Sequence, residues 1–272
     1  MQDSIINYAT EVGWEYIDRD EALRLRGGKE GLVFRELFVD QLQRLNSEYM
    51  DHLLAEELIK RLERIQPSIE GNFAVWEHLK GLKSVFVPSE RREHNVRFID
   101  MKNIHRNCFH VTDEFSFSNG SKEIRQDIVF LINGIPVLFV ETKAATKVDG
   151  IGEAMDQVRR YHRQCPELLA VLQVYTLTHI IHFLYSSTWT TSDKLLFNWK
   201  EDVHGDFESL VKTFIDKDRM LRLLLDFILF TRQDDELKKV IMRPHQTRAI
   251  KKIVERAESE KKRGLIWHTQ GS

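Results

Sequence analysis

The sequence predicts an α/β protein, a mixed β-sheet flanked by helices and preceded by a helical N-terminal addition. Three observations carry this expectation. Residues up to about 83 place apolar side chains at helical spacing, the middle of the chain holds short β-rich runs, and two of those runs are joined by Asn-Gly, a strong hairpin signal. With 272 residues, 42% hydrophobic and 30% charged, the chain has the material for a substantial core.

Taken in order, Val33, Phe34, Leu37, Phe38, Leu42 and Leu45 form one apolar stripe, and Leu54, Leu58, Ile59 and Leu62 form a second. Both are core faces. Strands are expected near 96–100 and 108–117, and a hairpin over 125–132 and 135–143 turning at Asn133-Gly134. Both hairpin strands are apolar on both faces, as central, covered strands are. A helix over 151–161, strands over 169–175 and 180–185, and helices over 207–215 and 219–230 complete the domain. The expected boundaries are a first domain over 1–230 (a helical region over 1–83 and an α/β core over 84–230), a connector over 231–239, and a further segment over 240–272.

Charges planted in covered strands need a reason. Asp127, Glu141 and Lys143 sit at the two ends of the hairpin, and side chains alternate along a strand, so Glu141 and Lys143 share a face. Asp127 joins them only if the connection has odd parity: a three-residue loop of Ile132, Asn133 and left-handed Gly134, or a bulge. So arranged, Asp127 and Glu141 supply hard oxygen ligands for Mg²⁺, with the Thr142 carbonyl as a third. The ion activates water and draws charge from a scissile phosphate, and Lys143 orients that water or stabilises the oxyanion. The competing interpretation is a structural salt bridge between Lys143 and one carboxylate.

Composition excludes other classes. Two cysteines, Cys108 and Cys165, give neither a disulfide framework nor zinc spacing. No run is long enough to span a bilayer and no secretory signal opens the chain, so a cytoplasmic protein without membrane contact is expected. The net charge of −2 leaves any DNA binding to local patches, such as 238–263 with ten Lys/Arg against three Glu, or Arg91, Arg92 and Arg97. His179 and His182, an odd number of positions apart along one expected strand, fall on opposite faces and are expected to be structural.

These residues resemble a family, the PD-(D/E)xK nucleases, and within it the nuclease domain of the motor (R) subunit of type I restriction enzymes. The resemblance runs through Asn107-Cys108-Phe109-His110-Val111, Asp113-Glu114-Phe115, Arg125-Gln126-Asp127-Ile128-Val129 and Asn133-Gly134-Ile135-Pro136. Gln126 stands where the superfamily name has proline. Gln157 and Tyr161, one helical turn apart, are similar to the Gln-x-x-x-Tyr motif of RecB-like nucleases, which implies that they position DNA near the metal. Arg159, Arg160 and Arg163 add charge to that helix, while Glu36, Glu56 and Glu57 are equal candidates for an extra helical acid.

At the other end, Pro244 fits the start of a helix, and 264–272 reads as a strand running into Thr269-Gln270-Gly271-Ser272, similar to the run-in of a P-loop. Gln246 resembles the adenine-reading glutamine of helicase motors. The resemblance thus implies that 1–230 is an endonuclease domain with a restriction-endonuclease-like sheet, and that 240–272 is the truncated start of a RecA-like motor lobe. It implies an Mg²⁺-dependent DNA endonuclease whose parent subunit uses ATP to translocate double-stranded DNA, with methyltransferase and specificity subunits as partners. The P-loop lysine is not in the chain, so no ATP hydrolysis is expected of it alone. Two alternatives are a non-catalytic docking and DNA-path module, and a stand-alone RecB-like repair nuclease.

Overall fold

The computed structural model describes residues 1–144, 146–179, 181–199, 206–260 and 263–266. Its helices are α1 (Gln2–Glu11), α2 (Arg19–Leu25), α3 (Arg35–Leu45), α4 (His52–Glu63), α5 (Ile69–Leu79), α6 (Gly150–Gln164), α7 (Pro166–Val171), α8 (Phe207–Phe214), α9 (Lys217–Asp226) and α10 (Pro244–Glu258). Its strands are β1 (Glu15–Tyr16), β2 (Ser84–Val87), β3 (Arg92–Asn95), β4 (Phe109–Ser118), β5 (Glu123–Ile132), β6 (Ile135–Lys143), β7 (Val174–His179), β8 (His182–Ser187), β9 (Phe197–Asn198), β10 (Ile228–Gln233) and β11 (Glu236–Ile241).

The helical N-terminal region forms where its sequence dictates. Asp18, Asp51 and Ser68 accept hydrogen bonds from first-turn amides of α2, α4 and α5, satisfying donors that a helix start leaves open. Both predicted stripes are buried, Phe34, Phe38, Leu42, Leu58 and Ile59 almost completely. Trp14, just after α1, packs edge-on against Phe109 and Phe130 and so anchors this region to the sheet.

A seven-stranded sheet in the order β1-β4-β5-β6-β7-β8-β9 forms the centre. The β1/β4 and β6/β7 pairs are parallel, and β4/β5, β5/β6, β7/β8 and β8/β9 are antiparallel, so the predicted mixed sheet is present. As the apolar runs required, the middles of β5 and β6 have both faces covered. Helix α6 covers the face carrying Phe139 and Tyr175, since Tyr161 meets Phe139 and the Tyr175 hydroxyl reaches Met155. The Met1 end of the chain lies on the opposite face, where its sulfur meets Thr178.

Four expectations are corrected. No strand occupies 96–100; the strands nearby are β2 and β3, a separate two-stranded sheet. The segment 169–171 ends helix α7 rather than opening a strand, because Pro166 starts a helix there and a run buried all round carries no period to tell helix from strand. The segment 231–236 is no open connector: β10 and β11 pair throughout, turning at Asp234-Asp235, whose φ angles are 51° and 63°. His179 and His182 also differ from expectation, being cross-strand partners on β7 and β8 and therefore on one face. Among the described residues no helix is long and apolar enough to cross a membrane.

Candidate active site

The hairpin decides whether the three charged residues can meet. Asn133 and Gly134 adopt φ angles of 53° and 83°, forming the two-residue turn that matches strand twist. Asn133 is wholly buried: its Oδ1 accepts the Cys108 amide at 2.8 Å, and its Nδ2 donates to Phe98 O and Asn107 Oδ1. This ties the turn to the start of β4. The parity problem is solved one pair further on, where Phe130 faces Leu138 but Leu131 faces Pro136, leaving Val137 as a bulge. Proline has no N–H for the ladder, so a bulge is where a central strand accommodates Pro136. Of the two geometries that parity allowed, the bulge forms and the three-residue loop does not.

Beyond the bulge Ile128 faces Val140, so the next step of that register sets Asp127 opposite Glu141. Glu141 is 0% exposed, and among the described residues neither carboxylate oxygen has a hydrogen-bond partner. Burial first, and then the neighbouring Asp127 charge, push its pKa well above the usual carboxylate range. Asp127 is half-buried, and its Oδ2 accepts the Thr142 amide at 2.7 Å and the Thr142 hydroxyl at 2.8 Å.

Lys143 forms no ion pair among the described residues; its ammonium donates to Gln157 Oε1. The Gln157 amide donates to the Tyr161 hydroxyl, which donates to the Arg125 carbonyl. One chain of hydrogen bonds thus runs from Lys143 through one turn of α6 to β5. Asp149 caps α6 by accepting the Gly152 amide, fixing where that turn falls. Tyr161 is completely buried, so it braces the site from inside, and burial drives its pKa upward.

The remaining candidates lie elsewhere. Arg159 pairs with Asp156 and Asp193, Glu56 with Arg35, and Glu57 with Arg61, while Glu36 is exposed. Gln246 Oε1 accepts the Arg243 amide at 2.9 Å and so caps α10. Thr269, Gln270, Gly271 and Ser272 lie outside the described residues. Cys108 and Cys165 are both free thiols. Sequence patterns assigned no individual role to Glu114, Arg125 or Lys239: Arg125 and Glu114 pair beside the site, and Lys239 is buried among four oxygens.

Comparison with known proteins matches residues 1–193 to the family described as the type I restriction enzyme R protein N terminus. The chain belongs to this family. Similar relatives include the MjaVIIP endonuclease subunit of Methanocaldococcus jannaschii, 33% identical over 215 residues, covering 72% of this chain and 20% of the relative. A type I restriction enzyme endonuclease subunit of Staphylococcus aureus strain COL is 26% identical over 284 residues, covering 100% of this chain and 28% of the relative. The EcoprrI endonuclease subunit of Escherichia coli is 28% identical over 185 residues, covering 64% of this chain and 57% of the relative. This chain therefore spans between a fifth and three tenths of the first two relatives.

Proposed function

We propose that this chain is an Mg²⁺-dependent endonuclease domain that cleaves phosphodiesters of double-stranded DNA. We further propose that the parent subunit is an ATP-driven DNA translocase working with methyltransferase and specificity subunits. The observation that carries the nuclease reading is Glu141: a wholly buried carboxylate whose two oxygens have no hydrogen-bond partner among the described residues, opposite a second carboxylate. Burying an unpaired carboxylate is costly, and the cost is relieved by protonation or by a cation. The donors here are carboxylate oxygens, which fit a hard divalent ion that keeps most of its water.

Asp127 and Glu141 would hold the ion, with the Thr142 carbonyl as a third ligand. When bound, Mg²⁺ would offset both carboxylate charges and draw negative charge from the scissile phosphate. Thr142 orients Asp127 through two hydrogen bonds. Lys143, held by Gln157 and in no ion pair among the described residues, would present its ammonium to an attacking water or a charged phosphorane. Gln157 and Tyr161 then act on DNA through the lysine they position.

The lack of a Lys143 ion pair among the described residues also counts against the docking-module alternative, which needs the hairpin charges to neutralise one another. Family membership counts against a stand-alone repair nuclease. The test is Mn²⁺ binding by electron paramagnetic resonance on the wild type, Asp127→Ala and Glu141→Ala, with cleavage measured in the assembled enzyme. Binding that is lost in both variants, together with cleavage, is expected. Unchanged cleavage by either variant would remove the assignment.

A further inference from the structure

We infer that Glu114 is a third metal-directed carboxylate, held away from the Asp127–Glu141 pair by Arg125 until a phosphate takes the arginine. This rests on the metal-site reading above. The pairs Asp113–Ile128 and Phe115–Gln126 bracket Glu114 and Asp127, so the register sets these two opposite each other. With Asp127 opposite Glu141, three carboxylates form one row across β4, β5 and β6. Asp127 and Glu141 share the face that carries the orphaned Glu141 oxygens, and Glu114, whose φ of 48° takes it out of the regular pleat, sends its carboxylate to Arg125, two residues before Asp127 on the same face of β5.

Glu114 is not a ligand in the present arrangement. Among the described residues no three His, Cys, Asp or Glu side chains converge closely enough to hold an ion. Its Oε2 lies instead 2.6 Å from Arg125 Nη1, where the glutamate side chain is 18% exposed and the arginine 62%. The two ends of Arg125 differ in kind. Its carbonyl is fixed by Tyr161, the far end of the chain that holds Lys143, whereas its guanidinium stands largely in water.

An ion pair open to solvent on one side is weak, and a guanidinium binds phosphate through paired, charge-assisted hydrogen bonds. A DNA phosphate arriving at the site therefore competes well for Arg125. Once released, Glu114 turns toward the ion and raises the charge of the ligand set from two carboxylates to three, which tightens divalent-cation binding. Metal occupancy is in this way tied to the presence of substrate.

The experiment measures Mn²⁺ affinity without catalysis, by electron paramagnetic resonance, for the wild type, Arg125→Gln, Glu114→Gln and the double variant, with urea unfolding as the control for folding. Arg125→Gln is expected to bind Mn²⁺ about 3-fold tighter or more, as a ligand released from a half-exposed ion pair allows. Glu114→Gln is expected to cancel that gain in the double variant. If Arg125→Gln tightens binding equally with Gln at position 114, removal of a nearby positive charge explains it and the inference fails. If Arg125→Gln changes nothing while the wild type binds Mn²⁺ through Asp127, the inference fails and the metal site stands. If neither the wild type nor Arg125→Gln binds Mn²⁺, both fall.

Discussion

Lys239 offers the sharpest test of how the C-terminal hairpin is held. It is 3% exposed, and its Nζ lies 2.7 Å from Asn72 Oδ1, 2.9 Å from both Gln173 O and Gln173 Oε1, and 3.0 Å from Thr188 Oγ1. Thr188 gives its own proton to Leu172 O, so all four neighbours are acceptors. Only an amine with its full set of N–H groups fits such a cage, although burial pushes the Lys239 pKa down. Replacement by methionine keeps the packing and strands the acceptors. Thr188 Oγ1 retains a partner through its own proton and Gln173 O through the Thr188 amide at 3.1 Å, which leaves two oxygens orphaned, Asn72 Oδ1 and Gln173 Oε1, at about 1–3 kcal/mol each. Against this stands the relief of burying an amine that has no acidic partner among the described residues, so the expected net loss is about 1–3 kcal/mol. Urea unfolding of Lys239→Met against the wild type measures it, with amide exchange expected to show β10 and β11 opening first. The pH dependence has a definite sign. A lowered folded-state pKa means that the unfolded chain binds more protons between that value and the ordinary lysine range, so stability rises with pH across that window and is lost as pH falls through it. Lys239→Met should lack this rise. A methionine variant as stable as the wild type, with the same alkaline rise, would refute the cage as a holding element.

Three further outcomes are expected. In the metal-free protein, the raised Glu141 pKa makes stability fall as pH climbs from the ordinary glutamate range toward the folded value, so Glu141→Gln should be more stable than wild type near neutral pH and lack that slope in melts with chelator. Tyr161→Phe removes the hydroxyl joining Gln157 to Arg125, so cleavage in the assembled enzyme should drop roughly 10-fold or more, as misplacement of a charge-stabilising group does, with Mn²⁺ affinity unchanged. Gly134→Ala forces a side chain onto a φ of 83° and a Cβ to 2.9 Å from the Phe34 carbonyl, so unfolding experiments should show a loss of at least about 1–2 kcal/mol.

The sheet and its helices were legible because their signals are local: stripes at helical spacing in α3 and α4, Asn-Gly between apolar runs in β5 and β6, and Gln157 and Tyr161 one turn apart on α6. What escaped needs partners distant in sequence. Leu168, Leu169 and Val171 are buried on every side, so no period marks α7 as a helix. Lys239 sits in a run of charged residues that reads as solvated, yet its partners Asn72 and Gln173 lie 167 and 66 residues away. Asp234-Asp235 is a turn of two like charges, far from the glycine-bearing sequences that announce a hairpin, and only the pairing of β10 with β11 reveals it.

The bulge shows how nearly the candidate site itself could be read. Parity alone required one extra residue between Asp127 and Glu141, and it left open whether the turn or the strand supplied it. Two neighbouring residues decide the question. Asn133 is locked into the two-residue turn by its bonds to Cys108, Phe98 and Asn107, so the turn has no room for a third residue. Pro136 cannot donate to a ladder, and a proline in a covered central strand belongs at a bulge. The extra residue is therefore Val137, and its carbonyl is not wasted, since it accepts the Gln173 amide at 3.0 Å from the segment entering β7. Without it the same turn would set Asp127 opposite Val140 and send the two carboxylates to opposite faces. One valine beside a proline thus places Asp127 and Glu141 on a common face, from which any shared chemistry must follow.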